Sequence, residues 1–158
     1  MNIIIIPKYK EKKHHKLIKE ACVFFAEKLL KKKDLDKIDT IYIRLAGSID
    51  YGESRGDCKD LVYPDGKLDF IIRLDASTPL PDMISTLAHE MVHAKQSVVG
   101  ELEDNGKWWV WKGKKMKWKK SWYTLSSAKQ SAILPWEKEA YEREVPLATE
   151  FFRNYLKD

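Results

Sequence analysis

His89, Glu90, Met91, Val92 and His93 form the run that most restricts what this chain can become. Two histidines four positions apart serve one ion only if the backbone between them is helical. On an α-helix they lie roughly 40° apart around the axis and about 6 Å apart along it. Both imidazoles then reach a common zinc at a Zn–N distance of about 2.0–2.1 Å. Glu90 follows the first histidine, so its carboxylate can flank a metal-bound water rather than the metal. One helical turn would thus supply two ligands and a general base. An ordinary amphipathic helix carries the same pattern by chance in roughly one chain of this length in a hundred. The surroundings have to decide between the two.

The apolar pattern around the motif gives an α+β chain. The motif helix is expected over about residues 81–99, with Pro81 at its first position, Asp82 in the opening turn and Gly100 at its end. Ile84, Leu87, Ala88, Met91 and Val92 then face the core, with the histidines toward one edge of that face. Residues 16–30 repeat apolar positions every 3.6 residues and predict a helix with a lysine-rich outer face. Residues 3–6 read as a short strand, and residues 40–45 as a strand with Ile41, Ile43 and Leu45 inward. Residues 47–57 hold three glycines and predict loop or an irregular edge. Residues 59–63 and 68–74 flank Pro64, Asp65 and Gly66, the chemistry of a hairpin turn. A last helix opens at Pro135. Pro146 lacks the donor to Glu142 and is expected to kink or break it, with residues 147–156 as a second segment.

The 158 residues are expected to form one domain, and 44% hydrophobic with 34% charged content fits a globular chain rather than a disordered one. The four isoleucines near the start precede their lysines, the wrong order for an export signal, and no stretch is long enough to span a membrane. A cytoplasmic location is the expectation. Cys22 and Cys58 have no CxxC partner, so a cysteine zinc site is not expected and reduced thiols are.

A catalytic zinc takes three protein ligands and leaves a place for water. His14 and His15, the other two histidines, sit at the basic start of the first helix. Gln96 and Val99 stand where a metzincin needs Gly and His, which excludes that class. A carboxylate remains, and residues 135–144 place Glu137, Glu139, Glu142 and Glu144 on one helix. Glu137 and Glu139 point about 160° apart, so only one of them can face the metal.

A histidine pair on one helix and Glu-x-x-Ala on a later one resembles the gluzincin pattern, and the whole resembles small phage-encoded metallopeptidases of that type. The resemblance covers about residues 68–145. It implies a minimal zincin-like fold, in which a small mixed or antiparallel sheet packs on the first helix, the motif helix and the glutamate-bearing helix. It implies zinc held by His89, His93 and Glu137, with Glu139 the rival ligand and Ala140 the small residue that lets two helices pack. It further implies Glu90 as general base, a protein or peptide substrate, and residues 68–74 as the cleft-edge strand that an extended substrate would join. A phage source would put the protein in the host cytoplasm. Tyr141 stands where larger gluzincins often carry an acid or Asn. Tyr141 and Tyr123 are the candidates for a transition-state donor. SprT-like proteases are also similar in their His-Glu-Met-x-His motif, but their third ligand is a histidine, and none follows His93.

Residues 107–122 are the second unusual feature. Seven lysines and no acid fall within 107–120, and five of the six tryptophans lie in the longer segment. The plainer expectation is a twisted hairpin turning near Gly113, with Trp109, Trp111, Met116 and Trp118 packed on the domain and the lysines in solvent. Lysines interleaved with aromatics also suit phosphate contacts and base stacking. A non-catalytic, basic nucleic-acid-binding domain, keeping zinc for structure or not at all, is therefore the alternative to a zinc peptidase.

Overall fold

The computed structural model of the chain describes residues 1–6, 12–47, 55–117, 119, 122 and 125–157. In chain order the elements are β1 (Asn2–Ile6), α1 (Lys12–Leu29), α2 (Lys32–Leu35), β2 (Ile38–Ala46), β3 (Gly56–Val62), β4 (Leu68–Asp75) and α3 (Leu80–Val98). They continue with β5 (Leu102–Asp104), β6 (Trp108–Trp111), β7 (Lys114–Lys117), α4 (Ser127–Ile133) and α5 (Pro135–Tyr155). The class is mixed α+β.

The larger sheet has the order β1-β2-β4-β3. β1, β2 and β4 run parallel, and β3 is antiparallel to β4. Parallel neighbours need a crossover, which α1 provides between β1 and β2. Ile41, Ile43 and Leu45 of β2 meet Phe70, Ile72 and Leu74 of β4 in a single core. Ile18, Ala21, Cys22 and Phe25 of α1 and Ile84, Leu87, Ala88 and Met91 of α3 close that core. Each buried Ile, Leu, Phe or Met among these contributes about 1.5–3 kcal/mol.

The hairpin forms as its turn chemistry predicts, with Gly66 at φ 85° and its N–H donating to the Tyr63 carbonyl at 2.9 Å. It corrects one expectation. Residues 68–74 do not form the edge, because β4 is paired on both sides, by β2 and by β3. Its run of Phe70, Ile71 and Ile72 is the pattern of an inner strand. The edge is β3, which starts at Gly56 inside the glycine-rich stretch. Ser97 at the end of α3 donates to Asp60 of β3 at 2.6 Å, so the edge strand runs beside the motif helix.

α3 stops at Gly100, whose φ of 75° suits a glycine. Pro81 lies within its first turn, one place later than expected, with Pro79 as the cap residue. α5 opens at Pro135 as expected, yet it runs unbroken through Pro146. Glu142, Val145 and Pro146 are all exposed, so water can take the place of the missing donor on that side. α3 and α5 pack along each other, and Ala140 at their contact is fully buried.

β5, β6 and β7 make a second, antiparallel sheet. Lys112 and Gly113 turn its hairpin with φ values of 47° and 84°, a type I′ turn matched to strand twist. Trp109, Trp111 and Met116 pack on Trp122, Leu134 and Trp136. Trp118 lies outside the described residues. No described helix is long and apolar enough to cross a membrane.

Candidate metal centre

His89 and His93 leave α3 one turn apart on the side that faces α5. Their Nε2 atoms are 3.2 Å from each other. Glu137, in the first turn of α5, sets one carboxylate oxygen 2.7 Å from His93 Nε2 and the other 3.3 Å from His89 Nε2. A tetrahedral ion with ligands at about 2.0–2.1 Å has ligand–ligand edges of about 3.3 Å. The histidine–histidine and His89–Glu137 separations match that edge, and the shorter one needs only a modest opening. Two imidazoles and a carboxylate are donors that zinc accepts. Among the described residues, this triad is the one group of His, Cys, Asp and Glu whose ligand atoms converge to within 4.8 Å.

Glu139, the other carboxylate considered as a ligand, is turned away. It accepts from Lys95 Nζ at 2.8 Å, Gln96 Nε2 at 2.9 Å and Arg143 at 3.3 Å. Burial works to raise its pKa, but the bonds to Lys95 and Gln96 outweigh burial and lower it.

No family model, curated protein or solved structure matches the chain. What the cluster can do therefore follows from its own donors and from the side chains that hold them.

Each histidine is oriented through its second nitrogen. His89 Nδ1 lies 2.9 Å from Glu144 Oε2, and His93 Nδ1 lies 2.9 Å from Gln96 Oε1. Gln96 is fully buried, and its Nε2 donates to the Trp136 carbonyl at 3.0 Å as well as to Glu139. With both amide protons engaged, Oε1 must accept, so His93 donates from Nδ1 and, when the ring is neutral, leaves Nε2 as its lone-pair nitrogen. The Glu144 carboxylate imposes the same arrangement on His89. Outer partners of this kind fix tautomer and ring direction at metal sites. Sequence reasoning missed both residues as supports, although the signal was present in the spacing. Glu144 follows Glu137 by two helical turns, within about 20° of the same face, and Gln96 stands likewise to His89.

Glu90 is buried beside the histidines. Burial raises its carboxyl above the usual range, His93 and His89 oppose this, and Glu137 and Asp57 add to it. The edge strand closes over it. A Cβ on Gly56 would sit 2.7 Å from Thr86 Cγ2, 2.8 Å from the Arg73 carbonyl and 3.4 Å from Glu90 Oε1. Only glycine lets β3 come so near α3. Tyr141 packs edge-on against His89, with ring centroids 4.5 Å apart, and its hydroxyl lies 3.5 Å from Gln130 Oε1. Tyr123 lies outside the described residues.

Without a cation, protons take its place in the cluster. Burial lowers the His89 pKa, but hydrogen bonds to Glu137 and Glu144 outweigh burial and push it up to about 10. His93 is raised in the same way by Glu137, against burial and His89. Burial raises Glu137, yet the two histidines hold it well below the usual carboxylate range. A ligating histidine must be neutral, so the cation displaces protons. Zinc uptake at pH 7 is expected to release at least one proton, and affinity should rise with pH toward 10, about tenfold per unit for each proton lost. Titration calorimetry in buffers of different ionisation heat measures this, and zinc uptake with no proton release would mean the histidines are not ligands.

Proposed function

We propose that the chain is a zinc-dependent peptidase of gluzincin type, with His89, His93 and Glu137 as ligands and Glu90 as general base. One observation carries it, a buried carboxylate on the same helical turn as two histidines that converge with Glu137. The group has three members among the described residues, whereas structural zinc is normally closed by four protein ligands. When bound, zinc would supply Lewis acidity and lower the pKa of a water. Glu90 would be the group placed to accept a proton from water and to give one to the leaving amine. Burial raises its carboxyl, the direction that favours a proton-accepting group over a permanently ionised one. Glu144 and Gln96 hold the imidazoles, and Glu137 carries the negative charge of the site.

β3 supports a peptide substrate. Among the described residues it is an outermost strand of its sheet, and it lies against α3 at Gly56, beside Glu90. An extended peptide added there would gain main-chain hydrogen bonds and pass next to the base.

The test is hydrolysis of a mixture of extended peptides by protein carrying one zinc per chain. Chelation should abolish the cleavage and added zinc should restore it. Undiminished cleavage by stripped protein, or none by fully loaded protein, would sink the proposal.

A further inference from the structure

The outer face of the second sheet has no counterpart in the metal centre. In β6, Trp109 and Trp111 pack inward, so Trp108 and Val110 take the opposite face. In β7, Met116 packs inward, and Lys115 and Lys117 face out opposite Val110 and Trp108 respectively. Trp108 is 37% exposed, a large aromatic left beside lysines. Lys107, Lys114 and Lys119 are exposed around the same hairpin. Among the described residues of this segment, Lys112 is the lysine whose ammonium meets an acid, Glu101 at 3.5 Å. Glu103, opposite Val110, is the acid on the outer face and marks its rim.

We propose that this face binds single-stranded nucleic acid, with the lysines on backbone phosphates and Trp108 against a base. A row of ammonium groups with an exposed ring among them is what such strands require, because phosphates demand charge and every base offers a face to stack. An anionic membrane fits less well. The tip of the hairpin is Lys112 and Gly113, and burial in a lipid interface needs a contiguous apolar surface. The platform rests on Trp136, whose ring stacks on Trp109 at 5.3 Å, next in sequence to Glu137. A bound strand would therefore lie on the side of the sheet turned away from Trp136. None of these lysines belongs to the metal cluster, so binding does not require the peptidase activity.

The experiment follows the anisotropy of labelled oligothymidylate of about 20 nucleotides on adding the whole protein, from about 50 to 200 mM salt. Binding should weaken steeply with salt, and Trp fluorescence should be quenched. The Lys115→Ala and Lys117→Ala double variant should flatten the log–log salt slope by about 1.4, two contacts on a single strand. Trp108→Ala should weaken binding about tenfold and leave the slope unchanged. Circular dichroism and melting temperature of both variants, equal to wild type, confirm that they fold. The proposal is overturned by no binding at low salt, or by equal binding of polyglutamate. Preference for phosphatidylserine vesicles over the oligonucleotide, or a lysine variant with the wild-type slope, would overturn it as well.

Discussion

Replacing Glu90 with Gln is expected to leave zinc bound and to lower the rate of hydrolysis by about a thousandfold or more. Gln keeps the shape of the side chain and removes its basicity, and proton transfer by a placed carboxylate contributes about 10²–10⁴ to rate. The proposed ligands are untouched, because Glu90 is outside the triad that converges. Desolvation matters here too. Burial is what raises the Glu90 carboxyl, and a neutral amide in that place removes a charge without opening a cavity. Metal content and turnover measured on one preparation give the answer. Loss of zinc together with activity would place Glu90 among the ligands, and retained activity would end its role as base.

Glu137→Ala should do the reverse and lose both metal and hydrolysis. Glu137 spans both imidazoles, with separations of 2.7 and 3.3 Å, and supplies the only anionic donor of the triad. Zinc affinity is expected to fall by more than the roughly 10–100-fold that loss of an outer partner costs. Glu144→Ala gives that smaller scale in the same molecule, since Glu144 touches His89 from behind. A second readout separates ligand loss from misfolding. Glu137 is the main influence holding up the His93 pKa, and it shares that role with Glu144 at His89. In folded Glu137→Ala both histidines should therefore titrate lower by NMR. Wild-type zinc affinity in this variant would refute the ligand set.

The parts of the fold that bury an apolar face were legible in the sequence. Ile41, Ile43 and Leu45 alternate, and Ile84, Leu87, Ala88, Met91 and Val92 recur at helical spacing, because each face must meet the same core. Elements without such a face left no signal. α4 buries none of its residues, and β5 is three residues long and largely exposed. The edge strand was misassigned because periodicity shows which way a strand's side chains point but not which neighbours pair with its backbone. The helix is not divided at Pro146, because the cost of a proline depends on whether the orphaned carbonyl meets solvent, a tertiary fact. In the site, Glu137 and Glu139 could be told apart by direction only once the facing helix was placed. Lys95 and Gln96 then claim Glu139. Gly56 could be counted but not understood, since its contacts come from β4 and α3.

The three converging side chains come from helices separated by the whole second sheet and α4. A cation held by them would act as a cross-link, pinning the two ends of a long loop. Such a link stabilises the native state by an amount that grows with free metal, about 4 kcal/mol at a thousand times the dissociation constant. The buried amide of Gln96, which ties His93 to the Trp136 carbonyl, makes helix docking and ligand geometry one event. Metal supply would then set the lifetime of the molecule against unfolding and degradation, and scarcity would remove the protein itself as well as its chemistry.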